Sequence, residues 1–449
     1  MARRQAMPDE ERTPLGRGQG LGGGPAVVRR APFSGNPRVG TRGQRTQQRI
    51  LDAALRVFGE DGYHGCSIDR ITKVAGCSRV SFYQYFASKE DVFRHLCGQV
   101  ARQLNASTEQ LRPISADSEG WDALRTWVAR YTEIYVRYAP VFHVYEAAIE
   151  SDEALATGVA HTSEQNIARI HSRVATTTLP PRQLDPVIRL LLECLTHTLD
   201  TVGILRSAVP DGYPGEHVEE AVSDVLHRTL FGRRPDVNVH PPRVPSPPAV
   251  RFGSTMLETL QRDEEEVGSG ARALSALLES GRDVFVERGY HNTRVDDLVA
   301  AAGVSHGAFY RYFSGTDQLA RTLTAQALRH VSTPLLELPD VATTNESAGR
   351  GALRRWLRRY NAVHADEAAM LRVWVDAALQ VPTLRAESAP PLDWGRRRMA
   401  RYLRPRGFGD VDMEAVVMVA LLGVFGTRRR PPVEIEAAAH IIERGLLGR

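Results

Sequence analysis

Cysteine and lysine are both scarce in this chain, and each shortage removes a class of explanation. Four cysteines, Cys66, Cys77, Cys97 and Cys194, all fall in the first half. None forms a CxxC pair and no nearby histidine has zinc-ligand spacing, so no structural metal or disulfide framework is expected. Small buried thiols in a reducing compartment fit instead. Lysine stands at only two positions among 57 lysines and arginines, a bias that GC-rich coding explains as well as function does. Long apolar runs are missing too. The longest, residues 416–426, falls short of the roughly 20 residues a membrane helix needs. No apolar segment follows the arginine-rich start, so no secretory leader is expected. The sequence predicts a soluble intracellular protein. Nucleophile elbow, phosphate loop, metal-ligand set and paired catalytic carboxylates are all absent in usable contexts, so neither an enzyme nor a cofactor is expected.

What is present is length and helix. At 449 residues the chain exceeds one ordinary core and suits two to four domains. Its net charge of +4 favours anionic partners only mildly. Residues 1–42 mix Gly, Pro and Arg with almost no large apolar residues and predict a disordered basic tail. Residues 232–269 predict a linker, stiffened by Pro241, Pro242, Pro245, Pro247 and Pro248 and followed by an acidic run. Elsewhere apolar residues recur at three- and four-residue spacing with almost no β-type alternation, which predicts an all-α fold.

The decisive feature is an internal repeat. Phe58, Gly62, Tyr63 and His64 reappear at one constant offset as Phe285, Gly289, Tyr290 and His291. So do Ala75-Gly76 and Ser78, as Ala302-Gly303 and Ser305. Phe82-Tyr83-Gln84-Tyr85-Phe86 likewise returns as Phe309-Tyr310-Arg311-Tyr312-Phe313. About 14 of 30 aligned positions are identical without a gap, beyond chance for two ordinary helical segments. Fainter echoes follow, Trp127 and Tyr131 against Trp356 and Tyr360, so the doubling extends through the helices after each motif.

Each copy has the arithmetic of a helix-turn-helix. Ile50, Ala54, Val57 and Phe58 line one stripe of a helix that stops at Gly62. Ile68, Ile71 and Ala75 form the inward face of a short second helix. The turn at Gly76 lets two helices cross steeply, and Ser78 caps the next. That third helix would enter the major groove of DNA with its N-terminal residues foremost. Val284, Phe285, Val295, Leu298, Ala302, Gly303 and Ser305 repeat the pattern. Thr293 with Asp296 predicts a capped second helix in copy two, whereas Cys66 at the same place predicts a less well fixed one in copy one. Phe82, Phe86, Phe309 and Phe313 are assigned to the core.

Gly-Tyr-His, then Ala-Gly-x-Ser, then Phe-Tyr-x-Tyr-Phe closely resembles the TetR family of bacterial transcriptional regulators. The motif likeness covers about 50 residues in each half. The resemblance implies two tandem units, each a three-helix DNA-binding domain followed by a helical effector and dimerisation domain. Residues 43–97 and 270–325 would be the DNA-binding domains, and 98–231 and 326–449 the helical domains. Carried over position by position, Arg79, Ser81, Tyr83, Tyr85 and Lys89 would contact an operator in copy one. The counterparts are His306, Gly307, Ala308, Tyr310, Tyr312 and Thr316. Arginine can read guanine, and hydroxyls can bind phosphate. Val80 replaces a glycine that Gly307 keeps, and Thr316 replaces the lysine that Lys89 keeps, so unequal sequence preferences are expected.

The resemblance also implies an effector cavity in each bundle, with Trp127, Tyr131, Tyr145, Trp356, Tyr360 and Trp374 as candidate lining residues. At helical spacing these aromatics serve equally as core. The effector itself is left open. The most apolar late stretches, 184–205 and 411–425, correspond to the family's dimer-forming helices, so the two halves are expected to dock within one chain, a homodimer being the alternative. His64 and His291 precede helix starts and are expected to be structural. A protein in which one copy serves only as scaffold is the second reading.

Overall fold

The computed structural model describes residues 40–234, 236–237, 247–250, 271–339, 346–406 and 408–449. The expected tail, except its last residues, and most of the expected linker lie outside these residues. Side chains of residues 145–151, 271 and 346–348 are also outside them, which removes Tyr145 from the account.

Sixteen α-helices are described, eight from each half, in the same order. In the first half these are α1 (Thr41–Asp61), α2 (Ile68–Ala75), α3 (Arg79–Tyr85), α4 (Lys89–Glu109), α5 (Ser118–Ser151), α6 (Glu153–Arg173), α7 (Pro181–Ala208) and α8 (Gly215–Phe231). The second half follows with α9 (Ala271–Arg288), α10 (Val295–Ala302), α11 (His306–Tyr312), α12 (Thr316–Leu336), α13 (Glu346–Gln380), α14 (Pro382–Leu403), α15 (Val411–Gly426) and α16 (Pro432–His440). The last helix continues as a wider turn, Ile441–Leu446. Among the described residues no strand forms; one isolated bridge joins Ile114 to Val174. The fold is all-α, as the periodicity predicts.

Each half has a small head of three helices on a larger body. The head cores are the predicted ones: Ile50, Ala54, Val57, Phe58, Ile71 and Phe82 in the first, Phe285, Leu298, Phe309 and Phe313 in the second. The boundaries expected at residues 97 and 325 fall inside α4 and α12, so an unbroken helix joins each head to its body. Pro140 lies within α5, where Tyr138 departs from helical geometry and bends the helix.

The bodies share one core. Leu191, Leu195 and Val202 of α7 are buried in the same cluster as Val417, Leu421 and Phe425 of α15. The Cys194 thiol meets the Val417 carbonyl, 3.5 Å away, across this seam. Such a core makes the halves one packed unit, with burial worth about 25 cal/mol per Å² of apolar surface removed from water. The N-terminal face of α15 carries a charge cluster into the seam. Glu414, fully buried, pairs with the equally buried Arg228 of α8 at 2.8 Å and with Arg406.

One expectation about the heads is reversed. The cap of α2 is Ser67, whose hydroxyl accepts from the Arg70 N–H at 3.2 Å. In the second copy Arg294 holds that position, and the Thr293 hydroxyl donates instead to the Gly289 carbonyl. There the Asp297 carboxylate accepts from the Arg294 N–H at 3.1 Å. The side-chain N-cap thus belongs to copy one, because the capping position lies one residue beyond the Cys66–Thr293 pair.

Candidate functional site

The third helix of each head begins with the same local geometry. Gly76 and Gly303 adopt left-handed backbones, φ 62° and 64°, which a residue with a Cβ resists. This lets α2 and α10 end with their last carbonyls satisfied. Ser78 and Ser305 share φ −81° and ψ 158°, and each hydroxyl accepts from an N–H three residues on, at 3.1 Å. Phe82 and Phe309 are fully buried and pin the helices by their inner faces. The outer faces carry Arg79 and Val80, with Tyr83 part-buried beside them, in one copy and His306, Gly307 and Tyr310 in the other. Val80 is 72% exposed and Tyr310 57%. Ser81, Tyr85, Ala308 and Tyr312 are part-buried on the same short helices.

The leading side chain of each helix is held by the same acid. Arg79 pairs with Asp69 at 3.2 Å, and His306 with Asp296 at 2.8 Å. Both pairs are well exposed, so each is worth little and yields readily to a stronger partner. Lys89 and Thr316 differ more. The Lys89 ammonium donates to the carbonyls of Tyr63 (2.8 Å) and Cys66 (3.5 Å) and lies 4.4 Å from the centre of the Tyr63 ring. In this structure Lys89 therefore ties α4 to the loop before α2. Thr316 begins α12 without such a reach.

The two heads touch. His64 and His291 stack on each other, ring centres 5.1 Å apart and planes 27° from parallel. Each also meets its own neighbour edge-on, His64 with Tyr63 and His291 with Tyr290. The repeat has therefore placed one residue type twice at a single contact. Burial, then His291, then Lys89 depress the His64 pKa to about 4 from the ordinary 6.5. His291 is lowered by burial, against the pull of Asp317. The sign follows from linkage: a lowered histidine pKa favours the neutral contact, at full strength above about pH 6.5 and lost as the pH falls towards 4. Titration of the ring protons by NMR should place the His64 midpoint near 4 and return it towards 6.5 in His291→Ala. An unchanged midpoint would mean that the opposing head has no hold on it.

Behind the heads lies one continuous cavity of about 1550 Å³. Where a cavity in each bundle is expected, this one is lined from both halves: α4 to α7 supply one side and α12 to α15 the other. Of the candidate aromatics, Trp127, Tyr131, Tyr360 and Trp374 lie on its wall. Trp356 does not; its indole N–H donates to the Pro334 carbonyl at 2.8 Å and its ring stacks on Tyr360. The lining hydroxyl of Tyr131 meets Thr196 at 2.6 Å, and burial pushes its pKa up to about 12. His143 and Asp200 also line the cavity and were missed. The Tyr135 hydroxyl bridges them, donating to Asp200 and lying 3.1 Å from His143 Nε2. Burial lowers the His143 pKa, although Asp200 opposes this. The signal for Asp200 was an acid inside the apolar stretch 184–205; His143 carried none.

Among the described residues no group of three or more His, Cys, Asp and Glu side chains could hold a metal, and no helix is long and apolar enough to cross a membrane.

Comparison with known proteins agrees with the heads. Residues 50–96 and 277–323 each match the family described as bacterial regulatory proteins, tetR family. The HTH-type transcriptional repressor NicS of Pseudomonas putida is 34% identical over 133 residues, covering 29% of this chain and 59% of that protein. The repressor AcnR of Corynebacterium glutamicum is 31% identical over 112 residues, covering 23% and 57%. The regulator EthR of Mycobacterium tuberculosis is 28% identical over 168 residues, covering 34% and 78%. The chain thus spans less than two thirds of the length of the first two. The TetR-family regulator PfmR of Thermus thermophilus aligns with 40% of this chain and 97% of its own, at 21% identity and a TM-score of 0.32. Two matches in register with two heads of one geometry show that this chain carries the N-terminal unit of the tetR family of bacterial regulatory proteins twice.

Proposed function

We propose that the chain is a sequence-specific DNA-binding transcriptional regulator, a repressor released by a small molecule, with two unlike heads serving one operator. The observation that supports this best is the pair of exposed third helices, alike in backbone and different in side chain. Arg79, Ser81, Tyr83, Tyr85 and Lys89 would face one half-site, with Lys89 swinging from its carbonyls to a phosphate. His306, Gly307, Ala308, Tyr310, Tyr312 and Thr316 would face the other. Phosphate contacts set register, and side chains at the groove floor read bases. The docked bodies would act as a dimer within one chain, in the bacterial cytoplasm, with the small molecule in the shared cavity.

Genome-wide mapping of bound sites tests the reading. Two unlike half-sites, about one helical turn or a small multiple apart, are expected. A strictly symmetric palindrome bound best would oppose it. Sizing in solution should give the 49.7 kDa of a single chain; about twice that mass would overturn the one-chain dimer and leave the fold intact. A second reading, one working head and one scaffold, draws on Lys89 being engaged inside its own head while Thr316 offers no charge. The heads must then respond unequally to the same insult.

A further inference from the structure

We propose that the cavity is one binding site, not two, and that it takes a single elongated, uncharged and largely apolar molecule per chain, gripped by both halves at once. This rests on the small-molecule reading above and narrows it to a class of ligand and a stoichiometry.

Size and continuity come first. About 1550 Å³ exceeds the roughly 300–1,000 Å³ of sites for drug-sized ligands. Its walls include Trp127 and Phe142 of the first half and Tyr360 and Trp394 of the second. A molecule long enough to fill it touches both.

Charge excludes most alternatives. The ionised groups on the wall already have partners inside the protein. Arg94 pairs with Asp152 at 2.6 Å, Glu193 with Arg430 at 3.0 Å and Arg428 with Glu434 at 2.9 Å. Asp200 accepts from Tyr135, and Arg329, Arg372 and Asp376 are also engaged. A charged ligand would have to displace one of these partners or enter unpaired, which costs most at the buried Arg430 and least at the half-exposed Arg94 and Arg428. An apolar ligand gains in proportion to the surface it buries.

Two glycines show where the space lies. Half-buried Gly423 of α15 and the more exposed Gly158 of α6 both line the cavity, one from each half, and a Cβ built on either meets nothing within 4 Å. A bulky side chain at either place would occupy the room the ligand needs.

One site for two heads has a functional consequence. Cys97 on α4 and Leu328 on α12 both line the cavity, and these helices start at the heads. The ring of Trp374, also on the wall, meets Tyr290 edge-on at 6.4 Å, and Tyr290 adjoins the His64–His291 contact. A single binding event thus bears on both heads together, and release from the operator should be hyperbolic in ligand concentration.

Nile red, a neutral apolar dye, serves as the probe, with the full-length chain. The expected result is saturation at one dye per chain, with at least a tenfold loss of affinity in Gly158→Trp and also in Gly423→Trp. Far-UV circular dichroism and melting show that each variant is folded, and the wild-type stoichiometry needs no variant. Two dyes per chain, with each substitution removing one and sparing the other, would overturn the single site while leaving the small-molecule reading intact. Tighter binding of anionic anilinonaphthalene sulfonate or of cationic rhodamine 6G than of Nile red would overturn the uncharged class. No binding of any of the three would overturn the small-molecule reading, and this inference with it.

Discussion

Replacing Glu414 with alanine should cost the folded chain about 3–5 kcal/mol, the range for breaking a buried ion pair from one side. Glu414 is fully buried on α15 and answers two guanidinium groups, Arg228 of the opposite half and Arg406 of its own. Without it, Asp224, 3.5 Å from Arg228, would be left to face them, and Asp224 already accepts from the Trp121 indole at 2.8 Å. Phe408 lies against Arg228 and Arg406, with ring centre 5.3 and 4.5 Å from the two guanidinium carbons. Its π-face offers an attraction of roughly 0.5–2 kcal/mol, too small to replace a carboxylate. Arg228 also donates to the Gly445 carbonyl at 2.8 Å, so its displacement would loosen the last turn of the chain. Urea unfolding followed by tryptophan fluorescence measures the loss. A Glu414→Ala loss below about 1 kcal/mol, the worth of an exposed pair, would show that water reaches this seam and that the halves separate freely.

That cluster was invisible in the sequence, and the reason is general to this fold. Helix periodicity, the glycine turns and Ser78 and Ser305 are local signals, and they placed the heads within a few residues. The head core was legible because Phe82 and Phe309 recur in one pattern, and a pattern seen twice has a small chance of being accidental. The cap of α2 was misread because a repeat aligns backbone positions and not chemistry: Ser67 and Arg294 share a place and do different work. His64 and His291 were conspicuous by recurrence, yet nothing local says that they meet. Trp127, Tyr131, Tyr360 and Trp374 were readable as aromatics that could line a cavity. That the cavity is single depends on how α7 meets α15, which no periodicity within one helix reports. Glu414 reads as one polar residue in an apolar stretch; its partner Arg228 is brought to it only by docking of the halves.

The same docking sets the largest expected effect on DNA binding. Val80→Glu and Gly307→Glu, made separately, should each weaken operator binding by about 10²–10⁴-fold, the gain that linking two modules supplies. Val80 and Gly307 occupy equivalent exposed positions beside the leading residues of the third helices. A carboxylate there would meet the phosphate backbone and repel it, while the buried face of each helix is left untouched. Gly307 does not need its glycine for backbone reasons, since it lacks a positive φ and a Cβ would meet only the Ser305 hydroxyl, at 3.8 Å. Melting temperatures should therefore stay close to that of the parent chain. If both heads engage, each variant keeps one, falls to the affinity of a single head, and loses part of the salt dependence that phosphate contacts confer. Electrophoretic mobility shifts on the mapped operator, at two salt concentrations, supply both readouts. A loss confined to one variant would establish the scaffold reading for the other head. Loss in neither would remove the third helices from the interface altogether, and with them the proposal that this duplicated unit reads DNA.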